Sequence, residues 1–457
     1  MATGTAVTLG TVSQGTLSFT QTLTKPWLFL HNKNSAYVVD GSVTPTTFQS
    51  LTVVGISGYS GSTSTTITSP NSLANGDSVT ISGATYASFN GTFTVSGVTS
   101  TSFVISVAYA ASTGGSWIRT SASGFPLNNG YYLAAGAVYL DGTVYCMTTT
   151  GRIYGSAIED VLTWNALNYV SKSSEPDGGV AIAKHLNWVV AMGTGSTEFF
   201  YNAGGTYPAS PLLRNENAKL EIGCANGFSV VQFENTLMWI GQSKESGKGV
   251  FMLDGVSPSK VSTPAIEHYL NSDGLTTVNA FALTIAGHTF YILNLDTTEI
   301  TFCYDLNENL WYQWSSNVGG VEQDFVGRFF TSLYGVSYCL NPYNGALSTF
   351  SNSSYQDYYE SINTRIVTPI LDGGSTLTKF FDSLQVVGDK ASTTVQIRHT
   401  DDDYNTWTNY RTVNMNDVRP VLWTLGSSRR KALELLHTDN TGLRLEAIEL
   451  NVVEGTT

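Results

Sequence analysis

From about residue 25 to residue 350, short strand-like runs arrive in groups, one group every 25 to 45 residues, with almost no helical periodicity between them. KPWLFLHNKNSAYVVDG reads as two strands around an Asn-rich turn. GAVYLDGTVYCMTTTGRIYGSAI reads as three, the first hairpin closed by Asp141-Gly142, a type I′ turn pair. GGVAIAKHLNWVVAMGTGSTEFFYNAG and NGFSVVQFENTLMWIGQSKESGKGVFMLDG repeat the rhythm. AFALTIAGHTFYILNLDTTEITFCYDLNENLWYQW and GRFFTSLYGVSYCLNPYNGALSTF come next. The letters differ from group to group while the meander recurs. One small sheet cannot bury both of its faces, so such units stack radially as propeller blades. The expectation is an all-β chain with a β-propeller of about six blades, and an N-terminal hairpin is a common way to close such a ring. The helical exception is TPAIEHYLNS, where Ile266, Tyr269 and Leu270 fall at i, i+3 and i+4 behind Pro264.

Two stretches break the rhythm and set the domain boundaries. Residues 51–117 are rich in Ser, Thr and Gly and nearly uncharged, with alternating runs between Asn75-Gly76 and Asn90-Gly91 turn signals. They read as a small β-barrel set into a loop, a place where insertions are tolerated when the ends lie close together. The polar linker SNSSYQDYYE comes after Phe350. Beyond it the strands TRIVTPIL, FFDSLQVVG, TTVQIRHT, NYRTVNM, KALELLHT and LRLEAIELNVV read as a β-sandwich. The division is therefore 1–50 for an N-terminal strand segment and first blade, 51–117 for the inserted barrel, 118–355 for the rest of the propeller, and 356–457 for the sandwich.

Composition narrows the functional classes. Only 12 % of the residues are charged, about half the usual share, so much of the surface is expected to meet other chains. The net charge of −13 argues against gripping DNA, because phosphate contacts need Lys and Arg. Cys146, Cys224, Cys303 and Cys339 lie far apart in strand-like surroundings and read as free, buried thiols. No secretion signal stands out at the N-terminus, and no apolar run reaches the 18 or so residues of a spanning helix. No membrane insertion by this chain is expected.

Motifs that suggest chemistry fall short on inspection. GQSKESGKG from Gly241 has the wrong spacing for a phosphate loop and is followed by a strand, so no helix N-terminus faces a phosphate. HTDDDYNTWTNY carries Thr400, Asp402, Thr406 and Trp407 of the Asp-box found in sialidases, with Tyr404 in place of its Gly. Asp-boxes are hairpin turns folded under a Trp, and a structural role is expected. Glu159, Asp160, Glu198 and Glu221 are the best-placed carboxylates for a glycosidase pair, which needs a defined separation that sequence does not give. His31, His185, His268, His288, His399 and His437 show no HxxxH or HxH spacing. No catalytic residue, cofactor or metal is expected.

One long stretch supports a resemblance. Trp164 lies at the end of a SAxxDxxTW-like segment, and Ser196 to Gly204 reads STEFFYNAG, with Glu198 and Tyr201 inside it. IGCANGFSVV surrounds Cys224, a W-I-G-Q strand starts at Trp239, and YDLNENLWYQW carries Trp311. With Asp402 and Trp407, these elements resemble the packaged DNA stabilisation proteins, or tail nozzles, of short-tailed bacteriophages, over roughly residues 120–455. The resemblance implies a homohexameric ring below the portal and its adaptor ring. That ring closes the head after packaging and conducts the genome outward without binding it specifically. The implied partners are further copies of the chain, the adaptor ring, and a tail needle, plug or fibres. The implied setting is the virion tail, assembled in the host cytoplasm. Arg429, Arg430 and Lys431 are the expected assembly contacts. The competing expectations are a receptor- or glycan-binding tail component and, behind it, a glycan depolymerase.

Overall fold

The computed structural model describes residues 12–23, 26–41, 48–233, 235–243, 247–333, 336–342, 345–351, 353–357 and 360–455. The fold is nearly all β, and the α-helix among the described residues is Pro264–Ser272. That helix starts on Pro264 at its first turn and buries Ile266 and Leu270, while Tyr269 turns outward. Two compact units divide the chain at residue 280.

In the first unit, four antiparallel meanders succeed one another. The first is Ser18–Gln21, Trp27–His31, Ala36–Asp40 and Phe48–Ser50, and the second Val138–Leu140, Thr143–Met147, Arg152–Ala157 and Asp160–Ser171. The third is Gly179–His185, Trp188–Gly193, Thr197–Asn202 and Leu212–Leu220. The fourth runs from Gly223–Cys224 through Leu237–Gln242 and Gly249–Asp254 to Ser257–Lys260, with Val231–Gln232 alongside. Each face of a sheet is buried against the next. Phe29 and Val38 of the first share a core with Val144, Cys146 and Tyr154 of the second. Tyr145, Met147 and Ile153 share one with Ile182, Val189 and Phe200. Ala181, Val190 and Phe199 then meet Leu237, Trp239 and Phe251. Alternate residues of one strand thus serve two cores, which is the packing a stack of blades requires.

Residues 18–50 form a complete four-stranded sheet. Its central hairpin, Trp27–His31 and Ala36–Asp40, is paired on both edges by its own flanking strands.

Between the first two blades, eight short strands from Val54 to Arg119 build two four-stranded sheets around Ile67, Val79, Ile81, Phe89, Phe103, Ile105 and Trp117. The ends of this module are adjacent, since Val54 pairs with Trp117 and Gly55 with Ser116. Asp141 and Gly142 both take positive φ, as a type I′ turn demands. Asn90-Gly91 is not a turn. Asn90 is extended and ties its amide to Ala84, accepting from the backbone N–H and donating to the carbonyl, both at 2.9 Å.

A five-stranded meander runs from Val278–Ile285, whose first residues precede the division, to Val321–Asp324, and the second unit continues with a three-stranded one, Arg328–Leu333, Val336–Leu340 and Leu347–Thr349. After these come two sheets over one core. One orders Thr364–Val367, Ala432–His437, Thr394–Thr400 and Arg411–Asn414, and the other Val421–Ser428, Lys379–Gly388 and Leu445–Glu454. Leu384, Val386, Val395, Ile397 and Leu435 fill the space between them.

Candidate functional site

The residues marked by sequence do not converge on one cleft; most are placed inside blades. Trp164 is buried between the first two blades, its ring edge-on to Phe125 at 4.9 Å, and its indole N–H donates to the Val161 carbonyl at 2.8 Å. Trp239 is fully buried and donates to the Gly223 carbonyl at 3.1 Å. Trp311 lies 4.9 Å from the Tyr304 ring in the Leu310–Val318 strand of the five-stranded meander. Tyr201 is half exposed beside Trp188. Cys224 is a free, buried thiol pushed up to about 12 by burial, too high for a thiolate nucleophile.

Glu198 is the centre of a buried ion network. Its carboxylate accepts from the Ser174 backbone N–H at 2.9 Å and lies 3.5 Å from Arg214 and 4.0 Å from Lys172. Lys172, itself buried, also bonds Asp177 and donates to Ser196 Oγ at 2.8 Å. Asp177 accepts the Gly195 and Ser196 N–H groups, both at 2.8 Å. Burial pushes the Asp177 carboxyl up, but Lys172 and the Gly195 N–H outweigh it and hold it below the usual carboxylate range. The network pins the 172–178 connection, between the second and third blades, onto the third blade. Glu198 was singled out in the sequence. Lys172, Asp177 and Arg214 were not, although the charges in KSSEPDGG were the available signal.

The Asp-box residues do come together. Asp402 accepts the Thr400 hydroxyl at 2.8 Å, the Thr406 N–H at 2.8 Å and the Thr406 hydroxyl at 2.5 Å. The Thr406 hydroxyl and N–H, with Thr400, bring its carboxyl down to about 2. Trp407 covers Arg398 at 4.9 Å, and Tyr410 covers the same guanidinium at 4.5 Å. Arg398 is tied to Glu434, which also accepts from Arg365 and from the Tyr410 hydroxyl. These residues form an aromatic-sheathed ion cluster on a sheet, with Glu434 itself buried. Lys431 and Arg430 flank the same turn, Lys431 reaching Asp401 at 2.5 Å and Arg430 bonding Asp403. Lys431 is buried with its ammonium over the Phe381 ring, which withdraws it from any outer contact. Arg429 is exposed.

The remaining candidates are spread out. Glu159 sits at a hairpin turn with φ of 56° and accepts from the Tyr139 hydroxyl, and Glu221 is an exposed partner of Lys219. Asp160 turns onto its own strand, accepting from the Leu162 N–H and the Thr163 hydroxyl. Of the GQSKESGKG loop, residues 244–246 lie outside the described residues, and the loop leads into the Gly249–Asp254 strand. His288, Asp305 and Glu308 do lie close enough to face one cation, a cluster that hairpin register creates and sequence spacing hides. Asp305 already accepts from His288 at 2.7 Å and from the Asn307 N–H at 2.8 Å, which accounts for it as a turn. Open clefts occur in both units. The cleft in the second unit is lined by Tyr312, Trp314, Phe325 and Phe350 and has Asp357 as its one carboxylate. In the first unit one cleft has Asp77, paired with Arg119, and a smaller one beside His31 has no carboxylate.

A family model described as Bacteriophage P22 Gp10, beta-propeller, matches residues 71–355. The match starts inside the 51–117 module and stops at the end of the blades, whereas the sequence resemblance was placed over 120–455. No curated protein sequence matches the chain. Among solved structures, BamB from Moraxella catarrhalis is similar at 10% identity, covering 71% of this chain and 78% of its own, with a TM-score of 0.31. An exo-beta-1,3-galactanase from Phanerochaete chrysosporium is similar at 9% identity over 95% of both chains, with a TM-score of 0.28. Likenesses this weak carry no argument about activity.

Proposed function

Because the chain belongs to the phage-stabilisation family of bacteriophage P22 Gp10 β-propellers, and is a phage structural protein of the head–tail stabilisation type, we propose that it is a subunit of a tail nozzle. Six copies form a ring below the portal and its adaptor, close the head after packaging, and later carry the genome outward. The ring acts without catalysis. The family-model match across the stacked meanders carries this reading. Two features support it. Most of the marked side chains are spent on holding blades and turns together, and among the described residues no open cleft carries more than one carboxylate where glycoside hydrolysis needs two.

Charge supports the conduit role. Six chains at −13 each sum to −78. An acidic lumen leaves DNA held off by a cation layer screened over about 8–10 Å at physiological salt, whereas each basic contact would add counterion-release affinity and slow transit. Retention then depends on ring closure and a needle or plug, with fibres attached outside.

The test is genetic. Particles lacking this chain should package DNA normally and then lose it. Full, stable, non-infectious heads would instead point to the receptor- or glycan-binding reading.

A further inference from the structure

The Leu445–Glu454 strand pairs with Lys379–Gly388 on one side, and no strand pairs with its other side among the described residues. Ten residues of unpaired edge invite another chain, so natural edges are protected by charge, bulge or cover. This one carries Glu446, Glu449 and Glu454, all exposed. Glutamates facing glutamates would repel, so two copies of this edge do not pair with each other.

The far edge of the same three-stranded sheet has the opposite character. Val421–Ser428 is blunted as a template, because Thr424 takes φ of 61° and Arg411 donates to the Trp423 carbonyl at 2.7 Å. Its side chains are what it offers. Trp423 is 60% exposed, and Arg419 and Arg429, both exposed, stand at the two ends of the strand. Among the described residues, Arg419, Arg429, Glu449 and Glu454 take part in no ion pair. On the acidic side, Phe380 and Val453 are cross-strand neighbours, 54% and 58% exposed, and form an apolar patch beside the free edge.

We infer that this sheet is a head-to-tail interface between copies of the chain. Trp423 of one copy covers the Phe380–Val453 patch of the next, while Arg419 and Arg429 meet Glu449, Glu454 and the unpaired carbonyls of that edge. A tryptophan flanked by arginines is the composition of an interface hot spot. Two different surfaces in contact make a heterologous interface, which closes into a ring when its rotation allows. The inference rests on the tail-ring reading and assigns the surface that builds the ring.

Two charge-reversed full-length chains test it by sedimentation velocity. Glu449→Arg with Glu454→Arg makes both edges basic, and Arg419→Glu with Arg429→Glu makes both acidic. The wild type should form closed rings that dissociate as salt is raised. Each variant alone, checked for native circular dichroism, should sediment as the 49.2 kDa monomer. An equimolar mixture should restore rings of alternating composition, because both junctions are then complementary. Trp423→Ser should also give monomer. The assignment is overturned if the wild type stays monomeric at the highest attainable concentration, if either double variant still forms rings, or if the mixture yields only dimers or monomers. A ring on the virion whose subunits meet elsewhere overturns it too, while leaving the tail-ring reading intact.

Discussion

Asp402 is an exposed carboxylate that three hydrogen bonds hold far below its ordinary pKa of 3.8, down to about 2. A pKa lower in the folded than in the unfolded chain contributes stability that is complete above about pH 4 and lost as pH falls through about 2. The Asp402→Asn variant should therefore melt below the wild type at neutral pH, and the gap should close between pH 4 and pH 2. A gap that is constant with pH would assign the loss to shape, not charge. Glu198 makes a stronger demand, because Lys172 beside it is fully buried. Glu198→Ala leaves the Ser174 N–H without its acceptor and takes away one of the two carboxylates facing Lys172, Asp177 remaining, and should cost about 1–3 kcal/mol in denaturant unfolding, whereas Glu198→Gln, which can still accept from Ser174, should cost less. Individual residues were legible where chemistry is local. The Asp402 turn spans five residues, and the burial of Trp164 and Trp239 is a consequence of their strands. Lys431 read as a surface contact because RRK looks solvated, but it bridges to Leu371, is buried and sets its ammonium over the Phe381 ring. The Arg398–Glu434 pair joins strands far apart in sequence, and only register brings them together.

At the scale of elements, adjacent residues can belong to different cores. Trp117 packs into the inserted module and Ile118 into the first blade pair, so the boundary runs between two neighbours of one strand. Leu51, at the other end, also belongs to the blade core. Replacing residues 54–116 by a short Gly/Ser linker should leave the blades with one cooperative melting transition, since the module's ends are already paired neighbours. Loss of that transition would make the module part of the core. Trp164→Ala, in contrast, opens a cavity between two blades and should cost about 3–5 kcal/mol by denaturant unfolding. The strand rhythm made the meanders readable, and Asp141-Gly142 marked its hairpin correctly. In the N-terminal sheet the central hairpin was read, while the outer strands, Ser18–Gln21 and Phe48–Ser50, were not, because they are short and polar and show no periodicity. Asn90-Gly91 misled because an Asn-Gly pair makes a two-residue type I′ hairpin turn only when both residues take positive φ, and Asn90 is extended.

For the whole molecule, low charge and net acidity are the properties that sequence stated most directly. An assembled ring should bind duplex DNA weakly at physiological salt, with little salt dependence; tight, salt-sensitive binding would indicate a basic lumen and contradict the conduit account. The family was legible because its motifs are spread over many blades, while the interface was not, since an exposed edge shows itself only once strand order is known. The account stands most directly on where the chain sits in the particle. Electron microscopy of virions with this chain labelled should show six copies in a ring on the tail axis, directly below the portal and adaptor. Label confined to peripheral spikes, or single copies off the axis, would contradict it.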